Sequence, residues 1–202
     1  MVDILSTVAL NTNETLQLFK DTGAYLRGHF RLTSGLHSPE YLQCALVLQH
    51  PEMAEKLGAA LADCFSNLGP IGVVAAPAVG GLIIGHEVAR RIGARFIFTE
   101  RDPAQGMIFR RGFSVIPGEN AVVVEDVVTT GGSSREVADA LKAAGANVLA
   151  AGSIVDRSGG KADLGVPRFA LATLQVITYP PDTCPLCQQG VPVIKPGSRP
   201  GA

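Results

Sequence analysis

The stretch Ala121 to Ser134, AVVVEDVVTTGGSS, constrains the chain more than any other. It opens with the short apolar run Ala121 to Val124, too brief for a helix and rich in β-branched side chains, which is the pattern of a fully buried strand. Two adjacent acids follow, Glu125 and Asp126, and after a short apolar step come Thr129-Thr130-Gly131-Gly132-Ser133-Ser134, with a helical pattern from Ser134 onward. Glycines and small hydroxylated residues at a strand-to-helix turn let backbone N–H groups converge on an anion, and the helix N-terminus adds its partial positive charge. The turn reads as a phosphate cradle. Two carboxylates directly before it would repel a phosphate unless something uncharged and rich in hydroxyls lay between. A ribose 5-phosphate meets that requirement, with its 2′- and 3′-hydroxyls on the acids.

A buried strand needs neighbours, and the flanking sequence supplies them. Ile71 to Ala76 is a second apolar run, passing through Pro77-Ala78-Val79-Gly80-Gly81 into a helix that reaches Arg91. Arg95 to Thr99 reads as a strand. Glu100 to Gly118 reads as neither strand nor helix, being broken by Pro103, Gly106, Gly112 and Pro117 and carrying Arg101, Arg110 and Arg111. A polar insertion of that length inside a compact domain is usually functional or disordered. Val137, Ala140, Leu141 and Ala144 mark a helix closed at Gly145, Asn147 to Val155 is a strand ending at Asp156-Arg157, and Phe169 to Tyr179 is apolar enough for one more. This alternation predicts an α/β fold, a mostly parallel sheet flanked by helices. In such sheets ligands bind beyond the carboxyl ends of the strands. The ends at Ala76, Val124 and Val155 are the chemically unusual ones.

Upstream, Asn13 is placed to cap a helix whose apolar side is Leu16, Phe19 and, after Gly23, Leu26. Gly28 to Pro39 is a hairpin or a shaped loop. Pro51 starts a helix in which Met53, Leu57, Leu61 and Phe65, spaced by four, form a core stripe. From Pro180 the chain is rich in proline and glycine and reads as surface.

The whole chain sets outer bounds. At 202 residues it is long enough for one domain and cramped for two. Seventeen basic and eighteen acidic residues leave a net charge of −1, with no basic block of the kind that tracks a nucleic-acid backbone or an anionic membrane. Met1 to Leu10 lacks the pattern of a secretory leader, and no run approaches the ~20 apolar residues of a membrane span. A cytoplasmic protein is expected. Four cysteines do not make a disulfide framework in a chain of this size. Cys184-x-x-Cys187 has half the spacing of a zinc knuckle, yet a structural site needs four ligands and there is no second such pair. A metal site there would have to be completed by another chain or by distant residues; the alternative is a pair of tail thiols with no catalytic part.

Val123 to Ser133 closely resembles the phosphoribosyl diphosphate (PRPP) motif of the type I phosphoribosyltransferases. The form Glu-Asp-Val-Val-Thr-Thr-Gly-Gly-Ser, with Gly35-Leu36-His37-Ser38-Pro39 upstream and Asp156-Arg157 downstream, resembles the orotate-specific branch of that family, from about Tyr25 to the Cys184–Cys187 tail. The resemblance implies one domain over residues 1–202, with an N-terminal helix and hood over 1–45, an α/β core over 70–180 and a surface tail over 181–202. It implies transfer of ribose 5-phosphate from PRPP to N1 of orotate in pyrimidine nucleotide synthesis.

Carried over by position, Glu125 and Asp126 would hold the ribose hydroxyls, and Val127, Val128, Thr129, Thr130, Gly131, Gly132 and Ser133 would wrap the 5-phosphate. Ala76, Pro77, Ala78, Val79, Gly80 and Gly81 would face the pyrophosphate. Thr129, Arg157 and Tyr41 would meet orotate. Magnesium is implied as a cofactor carried by PRPP, with no protein residue ligating it directly. A homodimer is implied, in which the mobile loop 100–112 reaches the neighbouring site as a lid.

The departures from the family pattern concern cations. Thr33 and Gly80 stand where lysines are expected, Leu42 replaces a second aromatic, no lysine occurs between Lys56 and Lys142, and no histidine follows His86. Arg101 aligns with a lysine of the family's lid and, with Glu125 and Asp126, is assigned a catalytic part. Two alternatives stay open. A non-catalytic PRPP-sensing regulator would usually add a DNA-binding segment, for which the residues before Gly28 are too few. A purine-base transferase would have no carboxylate for Arg157 to pair.

Overall fold

In the computed structural model, which describes residues 10–32 and 34–196, the run at Ala121 lies in the middle of a six-stranded sheet. Readings that fall on residues 1–9, Thr33 and residues 197–202 lie outside the described residues. The chain begins with helix α1 (Thr12–Asp21), an antiparallel hairpin of β1 (Tyr25–Arg31) and β2 (His37–Leu42), and helices α2 (Cys44–Leu48) and α3 (Pro51–Asp63). The alternating part follows: β3 (Val73–Pro77), α4 (Gly81–Ile92), β4 (Arg95–Asp102), β5 (Gly106–Phe109), β6 (Asn120–Val128), α5 (Gly132–Ala143), β7 (Asn147–Asp156) and β8 (Arg168–Thr173). A 3-10 turn (Pro181–Thr183) and helix α6 (Pro185–Gln188) close it. No helix among the described residues is long and apolar enough to cross a membrane.

The sheet order is β5-β4-β3-β6-β7-β8, parallel except for the β4–β5 pair. From β3 the chain winds outward through α4 to β4; from β6 it winds the other way through α5 to β7 and β8. The reversal between β3 and β6 opens a crevice at their carboxyl ends. Side chains alternate across the sheet, so the apolar run is buried on both faces. Val122 and Val124 pack with Leu57, Leu61, Ile84 and Val88 on one side, while Ala121 and Val123 pack with Val137 and Leu141 on the other.

Several boundaries differ from the sequence expectation, each for a local reason. Asn11, not Asn13, caps α1: its side chain accepts from the Glu14 amide while the Glu14 carboxylate accepts from the Asn11 amide, a reciprocal capping box. The segment after Thr99 is not structureless. β4 continues to Asp102, whose carboxylate accepts from the amides of Ala104 and Gln105, and Gly106 at φ +76° turns the chain back as β5. Helix α2 was not expected, and the last strand stops at Thr173. The tail is not simply surface: Cys184 is fully buried, and Ile194 pairs beside Phe30 of the hairpin.

Candidate active site

β6 runs on through both acids to Val128, so Glu125 and Asp126 are strand residues pointing to opposite faces. Glu125 lies on the α5 side and accepts a hydrogen bond from the Ser134 hydroxyl. Burial lifts its carboxyl to about 7; the Ser134 hydroxyl opposes the rise, the Asp126 charge adds to it, and the Arg101 charge opposes it. Asp126 lies on the α4 side, and burial raises its pKa against the backbone N–H groups of Val127 and Asp126 itself. A Cβ at Gly80 would come within 2.6 Å of Asp126 Oδ1. A side chain at position 80 would therefore require the Asp126 carboxylate to shift.

The turn after β6 has the geometry of an anion cradle. Thr129 and Thr130 are exposed, and Gly131 adopts φ +84°, where a Cβ would also come 2.5 Å from Leu164 Cδ2. Only glycine satisfies both conditions. α5 then starts at Gly132 with no side chain capping its N-terminus, which leaves its first N–H groups for a ligand. On the neighbouring strand end, Ala76 and Pro77 are buried, the Ala78 amide donates to the Thr99 carbonyl at 2.8 Å, and Val79 is 81% exposed. The Ala78–Val79 peptide is cis.

Arg157 follows β7 on a turn held by Asp156, whose Oδ1 accepts from the Ser158 amide at 2.7 Å and from its hydroxyl at 2.6 Å. The buried Asp156 is thus a support for the turn. The Arg157 guanidinium lies over the Tyr41 ring at 5.6 Å, a cation–π pair that links the core to the hairpin. Burial lowers its pKa, with the Tyr41 and Cys44 interactions opposing. It makes no ion pair with a carboxylate among the described residues. Arg157, Tyr41, Asp126, Val127, Thr129 and Thr130 share the wall of a cavity of about 660 Å³, with Leu32, Ser34 and Leu36 from the hairpin on its other side. Of the expected ribose, phosphate and base residues, Asp126, Val127, Thr129, Thr130, Tyr41 and Arg157 line this cavity, whereas Glu125, Val128, Gly131 to Ser133 and Ala76 to Gly81 do not.

Arg101 does not line that cavity. On β4 it pairs with Glu136 of α5 at 3.0 Å, and Glu136 also accepts from the Met107 amide at 3.1 Å, so one carboxylate fastens both strands of the β4–β5 hairpin. Arg110 pairs with Asp102 at 2.7 Å and Arg111 with Glu100 at 2.8 Å. Arg101, assigned a catalytic part, and the other two arginines of the 100–112 segment therefore all have carboxylate partners in this conformation. Sequence reasoning missed Ser134 as the partner of Glu125, and Glu136. A hydroxyl and an acid two residues apart in the first turns of a helix carry no signal for such long-range contacts. It also missed His29, which with His37, Cys184 and Cys187 forms a compact group of potential metal ligands.

A family model described as the phosphoribosyl transferase domain matches residues 45–165. A protein named orotate phosphoribosyltransferase from Desulforamulus reducens is 54% identical over 190 residues, covering 94% of this chain and 98% of its own length. One of the same name from Chlorobaculum parvum is 49% identical over 193 residues, covering 96% and 99%. Among solved structures, orotate phosphoribosyltransferase from Aeropyrum pernix superposes with a TM-score of 0.63 at 28% identity, covering 79% of this chain and 93% of that one. The Mycobacterium tuberculosis enzyme in complex with PRPP shares the fold, with a TM-score of 0.61 at 19% identity over 79% of this chain and 96% of that one.

Proposed function

The chain belongs to the phosphoribosyltransferase family and, within it, to the orotate phosphoribosyltransferases, and from that membership we propose that it transfers the ribose 5-phosphate of PRPP to N1 of orotate. Pyrophosphate is released and orotidine 5′-monophosphate forms, a step of pyrimidine nucleotide synthesis. The observation that carries the choice of base is Arg157: a half-buried guanidinium with no carboxylate partner among the described residues, stacked on Tyr41 at the cavity wall. A base bearing a carboxylate satisfies that charge; a neutral purine leaves it unpaired.

The stretch Val127 to Ser133 wraps the 5-phosphate, which the α5 N-terminus receives. The ribose hydroxyls donate to Glu125 and Asp126, and the loop Ala76–Gly81 faces the diphosphate. Thr129, Arg157 and Tyr41 hold orotate with N1 towards C1. The N1–C1 bond forms as the C1–O bond to diphosphate breaks, and the bonding electron pair leaves with pyrophosphate. Positive charge develops on the ribose ring, where the two carboxylates favour it through the hydroxyls; neither is assigned a proton-transfer role. The oxygen donors at the crevice are hard and few, and no carboxylate cluster that could cage a cation occurs among the described residues. That fits magnesium carried on PRPP, with Glu125 and Asp126 holding the sugar beneath it. When bound, magnesium would supply Lewis-acid neutralisation of the diphosphate.

Residues 1–45 serve as a hood and the 100–112 segment as a lid that excludes water in a homodimer. Arg101 leaves Glu136 to reach the diphosphate as the lid closes. Arg101→Ala therefore lowers kcat far more than it weakens PRPP binding; equal losses in both would remove the lid role. The decisive assay mixes protein, magnesium, PRPP and orotate and follows loss of orotate absorbance, with hypoxanthine and adenine as controls. Turnover of orotate alone is expected. Tight PRPP binding without turnover would instead make the chain a sensor.

A further inference from the structure

We propose that the chain carries a structural zinc site formed by His29, His37, Cys184 and Cys187, which clips the C-terminal tail to the hairpin roofing the active-site cavity. The four ligand atoms all lie within 4.8 Å of one another. His29 Nε2 is 2.8 Å from His37 Nδ1, 3.5 Å from Cys184 Sγ and 3.7 Å from Cys187 Sγ, and Cys187 Sγ is 3.3 Å from His37 Nδ1. A tetrahedral zinc with bonds of about 2.0–2.1 Å to nitrogen and 2.3 Å to sulfur separates its ligands by roughly 3.3 Å for N–N and 3.6 Å for N–S. These four spacings fall within about half an ångström of that tetrahedron, and no pair of the four ligand atoms is further apart than 4.8 Å, so metal entry would draw the widest pair inward.

Hydrogen bonding alone does not account for the convergence. His29 Nδ1 lies 2.7 Å from the Val191 carbonyl, an acceptor, so in the neutral ring Nδ1 carries the hydrogen and Nε2 carries a single lone pair. Three groups, His37 Nδ1 and both sulfurs, approach that one lone pair. A cation at their centre gives each atom a bond of its own, and the Nδ1–H···O=C bond is the support that orients a metal-bound imidazole. Two thiolates and two neutral imidazoles around Zn²⁺ make an uncharged group. Its burial is therefore tolerable: His29 is 1% exposed, His37 6% and Cys184 0%, with the exposed Cys187 at its outer edge. A closed tetrahedral N₂S₂ set is a usual ligand set of structural zinc. Binding deprotonates both thiols, so two protons leave as the metal enters.

The clip adds to backbone pairing already present. The His37 amide donates to the Tyr179 carbonyl and the Tyr179 amide to the His37 carbonyl, at 2.9 and 2.8 Å, while the Ile194 amide donates to the His29 carbonyl and the Arg31 amide to the Ile194 carbonyl, both at 2.8 Å. The same hairpin bears Leu32, Ser34, Leu36 and Tyr41 of the cavity wall. The site stands on these contacts and not on the transfer reaction, so failure of the orotate assay would leave it untouched.

The full chain, purified after growth with added zinc and dialysed, should contain equimolar zinc by elemental analysis, and Cys184→Ser with Cys187→Ser should lose it. Because that variant could fail to fold, the wild-type chain is also stripped and reloaded with cobalt. Intense tetrahedral d–d bands and a thiolate-to-cobalt charge-transfer band are expected, with a lower Tm for the stripped protein than for the reloaded one. Wild-type protein without zinc and with only octahedral cobalt, zinc retained in a folded double variant, or a Cys184–Cys187 disulfide in protein that refuses metal would each overturn the proposal.

Discussion

At the residue scale, Glu125 and Gly80 illustrate opposite uses of crowding. Glu125 is lifted to about 7 chiefly by burial. An acid whose folded-state pKa lies above its unfolded value is better accommodated protonated. The stability tied to that proton is full below the ordinary glutamate value of 4.5 and is lost as pH rises through about 7. Glu125→Gln removes the burden of a buried charge while keeping an acceptor for Ser134. It should stabilise the ligand-free protein by on the order of 2 kcal/mol at pH 8 and by little at pH 5, as read from urea unfolding at the two values. The same variant should lose at least about tenfold in kcat/KM, because the ribose hydroxyls lose an anionic acceptor. No stability difference between the two pH values would mean that the carboxyl is solvated. At Gly80 the neighbour is the Asp126 carboxylate itself. Gly80→Ala should lower kcat/KM by roughly tenfold or more with little change in Tm, since the strain is relieved by moving the catalytic acid and not the fold.

At the scale of elements, the β4–β5 hairpin is fastened to α5 through Glu136, which takes both the Arg101 side chain and the Met107 amide. Arg101 and Glu136 are both substantially exposed, so the pair contributes less than about 1 kcal/mol to global stability. Its effect should be local. Glu136→Gln should speed hydrogen exchange at the Met107 amide several-fold while leaving Tm nearly unchanged. Exchange as slow as in the wild type would show that β-pairing alone holds the hairpin. The sequence did not announce this hairpin, because its strands are short and its turn is set by the Asp102 side chain, whereas helix α3 was legible from Pro51 and the stripe Met53, Leu57, Leu61 and Phe65, of which Met53 is partly buried, the others are buried, and Phe65 follows just after the helix ends at Asp63.

At the scale of the whole molecule, the expectation that the lid of one subunit serves the site of the other makes a sharp prediction. Arg101→Ala disables a lid and Asp126→Asn disables a crevice. Mixed and allowed to exchange subunits, two such inactive proteins should regain about a quarter of the wild-type activity, because half of the dimers are hybrids and each hybrid has one intact site. Activity staying at the level of the separate variants would place the lid on its own chain's site. Sedimentation at the assay concentration checks that dimers are present.

Those parts of the protein whose chemistry is local were legible in the sequence. The run Ala121 to Val124 had to be a buried strand because it is apolar on both faces, and Thr129 to Ser134 read as the passage from strand to helix because its two glycines and small hydroxylated residues suit such a turn, with Gly131 at φ +84° just before α5. Tertiary structure alone decided what depends on residues far apart in the chain. It carried β6 on through Glu125 and Asp126, where pairing with β7 up to Val128 and Asp156 outweighs the low strand preference of acids. It set Asp126 against Gly80, and it brought His29 and His37 to Cys184 and Cys187 across more than 140 residues. No periodicity or spacing encodes such meetings, because each is fixed by how separate elements pack and not by the order of residues within any one of them.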